Sequence, residues 1–450
     1  MSVKTANQSN QGSGQLMTII TMMFLFGMIA FVTNLAAPVG VIWKNQMQGA
    51  GMLGNLMNFA AYLFMGIPAG KLLTTIGYKK TTLWALGIGF VGMALQYVSS
   101  LLGDSLMLAF VIYLLGAFIG GFCVCMLNSV VNPMLNSIGG GGARGNQLLQ
   151  IGGSFNSLVA TLTPMLVGML VGQVTNETMM DDVDILLLIA MGVFLVAFFI
   201  ILGARIPEPT LQKKGAVKVK DSHSAWSFRH TVLGIIGIFF YVGLEVGIPG
   251  TLIFYLSDTT TSGAGLTGNA TAIAGGVAAI YWLLMLCGRF GSSFISGKVS
   301  SRTQLIIVST VAIGLVIAAI FIPKSVGVNM PAYSVEDGFS MASVPLSALL
   351  LVLCGLCTSV MWGGIFNLAV EGLGKYTSQA SGLFMMMVVG GGIMPYLQEL
   401  IANAAGYMTS YWLVVGMLGY LLFYGLIGSK NVNKDIPVND FPAEDEQLYL

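Results

Sequence analysis

Glu245 stands in the middle of an otherwise apolar stretch, "YVGLEVGIPG", which runs from Tyr241 to Gly250. An ionised side chain near the centre of a bilayer costs several kcal/mol unless it is paired or hydrated, so such an acid is a functional candidate. Its carboxyl group can exchange a proton, hold a cation or hydrogen-bond hydroxyl groups. Glu399 is the second acid inside an apolar stretch, but we expect it nearer the outer end of its helix, where a carboxylate reaches water.

An ion pair with Arg289 is the structural explanation that competes with a functional role for Glu245. At about 1.5 Å of rise per residue, Glu245 lies roughly 21 Å and Arg289 roughly 13 Å from the same end of their helices. Two long side chains can span that difference in depth. The sequence therefore leaves two alternatives open, a carboxylate in a cavity and a structural ion pair.

Amide and aromatic side chains inside the apolar stretches form the second group of candidates. Amides suit the hydroxyl edges of a polyhydroxylated ligand, and aromatic rings suit its apolar face. Asn128 and Asn132 are four residues apart and share one helix face. The alternative for each amide is a hydrogen bond between helices, which in membranes averages about 0.6 kcal/mol. The candidates are Asn34, Asn128, Asn132, Gln150, Asn156 and Asn367 among the amides, and Tyr241, Tyr281 and Trp362 among the aromatics.

The composition indicates which elements must position these residues. Of the 450 residues, 56% are hydrophobic and 8% charged, whereas soluble proteins carry about 25% charged residues. Apolar stretches of roughly 20 residues recur along the chain, each long enough to cross a hydrocarbon core of about 30 Å as a helix. We therefore predict an all-α polytopic membrane protein. The five cysteines lie inside these stretches and indicate helix packing rather than a metal or redox site.

Twelve transmembrane helices are predicted, which we number spans 1 to 12, in two halves of six. The longest polar interior stretch, 205–229, separates the halves and is the natural linker. The predicted spans are 16–43, 50–76, 80–100, 105–137, 147–174, 184–204, 231–257, 268–297, 303–323, 343–370, 377–402 and 408–428. The predicted organisation is an N-terminal tail at 1–15, a first half at 16–204, the linker, a second half at 230–428 and a C-terminal tail at 429–450.

The basic residues orient the bundle. With twelve spans the termini and the linker share one side, and all of the 19 basic residues except Lys44, Arg289 and Lys324 fall in segments on that side. Because basic residues are enriched in cytoplasmic loops, both termini are predicted to be cytoplasmic. Binding of anionic lipid headgroups is the alternative explanation for the basic linker.

A short loop and three longer stretches carry a family resemblance. The loop "GKLLTTIGYKK" between spans 2 and 3 resembles the signature loop of the major facilitator superfamily through Gly70, Gly77, Lys79 and Lys80, although the acid usual near Thr74 is missing. The stretches 128–139 with 152–158, 241–256 and 363–395 are similar to the fucose, galactose and glucose permeases of the fucose-galactose-proton symporter family. The resemblance covers about residues 20 to 428.

The resemblance implies the major facilitator fold and uptake of a hexose or related sugar across a bacterial inner membrane by alternating access, coupled to a proton or sodium ion. Two acids of the fucose permeases align with Asn34 and Asn128, and a glutamine aligns with Gly153. The glucose and galactose branch's tyrosine, glycine and glutamate are present as Tyr241, Gly243 and Glu245. Glu245 is thus the expected coupling residue, with Arg289 as its candidate partner.

Other functional classes follow from the same residues. The 28 methionines would suit the apolar cavity of a drug or metabolite exporter, and the two replaced acids would suit a uniporter. A transport-inactive sensor is a further alternative, whereas an enzyme is not expected because no set of Ser, His and Asp or metal ligands is evident. Beyond the coupling ion no cofactor or metal is expected. The expected partners are a monosaccharide and the lipid bilayer, with no nucleic acid, and the expected functional unit is a monomer.

Overall fold

The structure, a computed structural model, confirms a polytopic helical protein. It describes residues 2–47, 49–102, 105–138, 142–171, 178–204, 206–208, 223–266, 269–295, 299–334 and 338–438. Within these ranges, 12 helical segments are long and apolar enough to cross a membrane. The count therefore agrees with the prediction, and the numbering of the spans is kept.

The first half contains spans 1 to 6. Spans 2 and 3 lie within Leu53–Ser100 as two helices, separated by non-helical backbone at Gly77, where φ is 86°. Only glycine adopts such a left-handed conformation without strain, so the glycine of the signature loop is what turns the chain here. The other helices of this half are Ser2–Gln46, Leu106–Ile138, Gly142–Val171 and Asp184–Gly203, with a 3₁₀ turn at Met180–Val183. The membrane spans within them are Gln15–Gln46, Leu53–Leu73, Thr75–Ser100, Leu106–Leu135, Ile151–Val171 and Met180–Gly203.

The second half contains spans 7 to 12, two of which are interrupted. Span 10 breaks at Ser359 and Val360, and span 11 breaks at Val388 and Val389, directly before Gly390. The helices are Arg229–Ser257, Ala270–Ile295, Ser301–Phe321, Leu346–Thr358, Met361–Val370, Thr377–Met387, Gly390–Ala405 and Tyr407–Phe423, with short turns at Ala225–Ser227, Gly374–Tyr376 and Tyr424–Gly428. The spans are Arg229–Ser257, Ala270–Ser292, Ser301–Phe321, Leu346–Val370, Gln379–Ala405 and Tyr407–Gly428.

An antiparallel hairpin between spans 9 and 10 is an element that the sequence reasoning missed. Strand β1 runs Gly327–Ser334 and strand β2 runs Gly338–Pro345, with Gly327 opposite Pro345. The predicted start of span 10 at 343 is therefore wrong, since its helix begins at Leu346. The residue before a proline is disfavoured in the helical region, which keeps Val344 extended and lets the helix start only after Pro345.

An acid from outside the signature loop binds the loop, which lacks the acid usual near Thr74. The Glu208 carboxylate accepts hydrogen bonds from the backbone N–H groups of Tyr78 and Lys79, at 2.5 and 3.0 Å. Lys79 Nζ donates to the carbonyl oxygens of Leu202 and Ala204 at the end of span 6, both at 2.8 Å. Glu208 thus caps the start of span 3, and Lys79 neutralises the carbonyl end of span 6. Lys80 is exposed, and Gly70 has no side-chain or backbone atom close to its Cβ position.

Glycines let several helices approach to backbone contact. A Cβ on Gly121 of span 4 would lie 2.0 Å from the carbonyl oxygen of Asn58 in span 2. A Cβ on Gly390 of span 11 would lie 1.9 Å from the carbonyl oxygen of Phe239 in span 7. Any larger residue at either position would force the helices apart. Small residues at these crossings therefore define how each half packs.

Candidate functional site

A cavity of about 610 Å³ lies between the two halves. Its wall comes from spans 1, 2, 4 and 5 of the first half and spans 7, 8, 10 and 11 of the second. This volume lies within the range of about 300 to 1,000 Å³ that is usual for small-molecule sites. The lining residues are Phe26, Ile29, Ala30, Thr33, Asn34, Phe59, Tyr62, Asn128, Asn132, Gly153, Asn156, Val242, Glu245, Val246, Trp282, Arg289, Ser359, Trp362, Gly363, Phe366, Asn367, Met385 and Val388.

Most of the site residues selected from the sequence meet at this cavity. Five amides line it, together with Glu245, Arg289 and Trp362; the amides are Asn34, Asn128, Asn132, Asn156 and Asn367. The side chain of Gln150 lies outside the described residues. The structure thus brings together side chains that are up to about 330 residues apart in sequence. Their polar groups lie on several helices and line the same cavity.

Two selected tyrosines do not line the cavity. Tyr241 is buried behind it, with its ring centroid 6.0 Å from that of Trp362. Tyr281 is also buried, and its hydroxyl lies 2.9 Å from Thr358 Oγ1. Sequence alone did not reveal which face of spans 7 and 8 each ring occupies. Both tyrosines are placed to support the wall rather than to touch a molecule in the cavity.

Glu245 lines the cavity and also makes the ion pair. Arg289 Nη2 lies 3.3 Å from Glu245 Oε1, and the two side chains are 12% and 17% exposed, Arg289 first. The two alternatives left open by the sequence are therefore both realised. Both side chains keep part of their surface exposed and line the cavity, while the pairing offsets the cost of burying either charge.

Arg289 also connects the two halves. Its Nη1 donates to the carbonyl oxygen of Gly153 at 2.8 Å and to Ser157 Oγ at 2.9 Å, both on span 5. A Cβ at Gly153 would lie 3.4 Å from Arg289 Nη1, an ordinary van der Waals distance, so the contact does not depend on the glycine. A change in the charge of Glu245 would therefore act on a side chain that holds span 8 against span 5.

Several lining residues were missed in the sequence. Ser359, Gly363 and Phe366 lie three or four residues from Trp362 or Asn367 on span 10, so the helical period would have selected them. Thr33 directly precedes the selected Asn34 on span 1. Tyr62 lies on span 2, lines the cavity and accepts a hydrogen bond from Asn128 Nδ2 at 2.7 Å. Trp282 had no such signal, because an aromatic residue in an apolar span is usually part of the packing.

Hydrogen bonds connect the two halves at the end of the bundle opposite the termini, which we call the far side. Lys44 Nζ donates to Tyr407 Oη at 2.8 Å, and Tyr407 Oη donates to Asp258 Oδ2 at 3.2 Å. Asn55 Nδ2 of span 2 donates to the carbonyl oxygen of Gly391 in span 11 at 2.7 Å. These contacts lie on the far side of the cavity wall, so this end of the interface between the halves is closed.

Glu399 belongs to the same far-side closure. Its Oε1 accepts from the backbone N–H of Gly51 at 3.0 Å and its Oε2 from that of Met52 at 2.8 Å. The residue is only 1% exposed, so the expectation that its carboxylate reaches water is wrong in this conformation. The reason is tertiary: the turn before span 2 lies over the end of span 11 and covers the carboxylate with the amides that bind it.

The fold and this central cavity place the chain in a defined class of membrane protein. Residues 17–395 match the model of the Major Facilitator Superfamily, and the chain belongs to that family of transporters. The crystal structure of the Escherichia coli fucose:proton symporter FucP superposes with a TM-score of 0.65 at 18% identity, covering 93% of this chain and 100% of that one. The fold is therefore the predicted one, with twelve membrane helices in two halves.

Two relatives are similar along the whole bundle. A glucose/galactose transporter of Brucella abortus is 30% identical over 437 residues, which cover 95% of this chain and 97% of the relative. The L-fucose-proton symporter of Escherichia coli is 22% identical over 405 residues, which cover 83% of each chain. The predicted resemblance to fucose, galactose and glucose permeases is confirmed.

Proposed function

We propose that this protein imports a hexose or a related neutral sugar together with a proton, by alternating access. The observation that carries the proposal is the cavity, which combines a carboxylate, a guanidinium, five amides and several aromatic rings between two movable halves. Amides and the carboxylate suit sugar hydroxyls, and the rings suit the apolar face of the sugar. The two relatives, a glucose/galactose transporter and an L-fucose-proton symporter, support the substrate class and the coupling ion.

In this proposal the conformation is the inward-facing one. The far side faces the periplasm, and the tail at 1–15, the linker at 205–229 and the tail at 429–450 face the cytoplasm of a bacterial inner membrane. The excess of basic residues on the side of the termini supports this orientation. Because Lys44, Asn55 and Glu399 close the far side, a sugar in the cavity would leave towards the cytoplasm. The working unit is a monomer, since the cavity is built from one chain.

Glu245 is the proposed coupling residue. A proton on Glu245 removes its attraction for Arg289, which then depends on Gly153 and Ser157 of the other half. Loss of the proton restores the pair and weakens the hold on span 5. Proton binding and the relative position of the halves are thereby linked through the Arg289 guanidinium. Coupling requires such a link, because the proton must stabilise one arrangement of the halves more than the other.

Uptake into proteoliposomes tests the proposal. A panel of labelled hexoses is offered with a pH gradient or a sodium gradient imposed separately, to the wild type and to Glu245→Gln. The exposed Glu371→Gln serves as the matched control. We expect pH-driven accumulation by the wild type and the control, and sugar exchange without accumulation by Glu245→Gln. Normal accumulation by Glu245→Gln would exclude Glu245 as the coupling site. Uptake that neither gradient drives would indicate a uniporter, and no uptake of any hexose would refute sugar transport.

A further inference from the structure

A second, much smaller cavity lies inside the first half, between spans 1, 2, 3 and 4, and we call it the first-half cavity. Its volume is about 20 Å³, and about 10 to 15 Å³ is enough to hold one water molecule. Every residue that lines it is buried or half-buried. Its lining residues do not overlap with those of the central cavity, so the two cavities are separate sites.

Three polar side chains from three helices line the first-half cavity. They are Asn58 of span 2, Gln96 of span 3 and Tyr113 of span 4, which are 4%, 7% and 2% exposed. At about 1.5 Å of rise per residue, they lie roughly 6 to 11 Å from the far-side ends of their spans. A Cβ at Gly54 would overlap the Tyr113 hydroxyl, so the glycine leaves room for that hydroxyl at the cavity wall. The three polar groups therefore meet at a similar depth.

These polar groups have no partner within the described part of the chain. Asn58 Oδ1 is fully enclosed and accepts no hydrogen bond from any described residue. The Gln96 amide and the Tyr113 hydroxyl likewise bind no other described residue. An unpaired buried polar group costs about 1 to 3 kcal/mol. Cavities that remain dry in proteins are apolar, whereas a polar cavity large enough for water, with two to four polar partners, holds one.

The chemistry of the lining favours a neutral occupant. No acidic or basic side chain is among the lining residues, so a cation bound there would have no counter-charge. The two amides and the hydroxyl offer both donors and acceptors, and a water molecule can donate and accept at once. We infer that the first-half cavity is a binding site for one water molecule, held by Asn58, Gln96 and Tyr113.

The position of this site connects it with the far-side closure. Asn55, three residues before Asn58 on span 2, donates to the Gly391 carbonyl oxygen of the other half. The bound water joins the same part of span 2 to spans 3 and 4, on the side that faces into the first half. It thereby helps to hold the beginning of span 2 where its other side chains meet the second half. The inference does not depend on which substrate is transported.

Radiolytic hydroxyl labelling, read by mass spectrometry, tests the site in the full chain in detergent. Radicals from bulk water reach exposed side chains, whereas a bound water releases radicals directly beside the residues that hold it. Tyr113 and Met93 line the cavity, are 2% and 1% exposed and carry reactive side chains. Tyr411 and Met417 are 0% and 2% exposed and do not line it. We expect Tyr113 and Met93 to be labelled well above Tyr411 and Met417.

Two variants connect the labelling with the polar groups. Gln96→Leu replaces the amide by an apolar side chain, and Tyr113→Phe removes only the hydroxyl. The labelling of Met93 should fall to the level of the buried control residues in the first variant and decrease in the second. Tyr411→Phe is the matched control, because it also removes a buried hydroxyl but away from the cavity, and it should leave the labelling of Met93 unchanged.

Three results would overturn the inference. Labelling of Met93 in the wild type no higher than that of Met417 would mean that the cavity is dry. Unchanged labelling of Met93 in both Gln96→Leu and Tyr113→Phe would mean that the radicals come from another source. Loss of the labelling when sodium replaces choline in the buffer would identify a cation, rather than water, as the occupant.

Discussion

The far-side closure allows a quantitative prediction for Glu399. Its two carboxylate oxygens accept hydrogen bonds of 3.0 and 2.8 Å from the backbone of Gly51 and Met52, across the interface between the halves. A hydrogen bond to a charged group contributes about 1.5 to 3 kcal/mol net. Glu399→Gln keeps one acceptor and should destabilise the closed far side by roughly that amount, while Glu399→Ala should lose both bonds, about 3 to 6 kcal/mol.

These energies convert to changes in population. Since about 1.4 kcal/mol is a tenfold change in an equilibrium constant, Glu399→Gln should raise the ratio of far-side-open to far-side-closed molecules by about 10-fold to 150-fold. Opening breaks these bonds because Gly51 and Met52 belong to the first half and Glu399 to the second. The other far-side contacts, from Lys44 and Asn55, are unchanged by the substitution and keep part of the population closed.

Distances between spin labels measure this shift. Labels at Asp181 and Thr260, both exposed on the far side and one in each half, should show a longer distance whose fraction increases from the wild type to Glu399→Gln and further in Glu399→Ala. The five native cysteines are replaced first, since Cys287 is exposed. Glu371→Gln, which alters an exposed carboxylate of the same half, should leave the distribution unchanged. An unchanged distribution in Glu399→Ala would refute the assignment of Glu399 to the closure.

Three further outcomes follow from other contacts. Arg289→Gln leaves the Glu245 carboxylate without its partner, at a cost of about 3 to 5 kcal/mol. We therefore expect a lower melting temperature in detergent, and the double variant with Glu245→Gln should recover the melting temperature. A double variant that melts as low as Arg289→Gln would argue against the pair. Glu208→Ala removes the cap of span 3, worth about 1 to 2 kcal/mol, which a thermal unfolding series against the wild type would detect. Gly390→Ala should lower both stability and uptake rate because its Cβ would meet the Phe239 carbonyl at 1.9 Å, whereas Gly382→Ala, with open space around it, should not.

Local properties of the chain were sufficient to predict the bundle. Whether a stretch of about 20 apolar residues can cross a bilayer depends on its own composition. No water is available in the hydrocarbon core, so the segment must satisfy its backbone hydrogen bonds internally, as a helix. The twelve spans and their division into two halves are consequences of that kind. The β1–β2 hairpin was missed because its pairing joins two short segments with no strong alternation of polar and apolar residues.

The site depended on the sequence for its residue types and on the tertiary structure for its contacts. Buried charges and amides in apolar spans were sufficient to select Glu245 and Asn156, since each must find a partner or water. Helix rotation decides the rest: it places Tyr281 behind the wall and Trp282 on it, although the two are neighbours in sequence. Packing likewise brings Gly51 over Glu399 and Gly153 beside Arg289. Those pairs are separated by more than a hundred residues, so no local pattern could have identified them, and they determine which end of the cavity is closed and which atoms face its occupant.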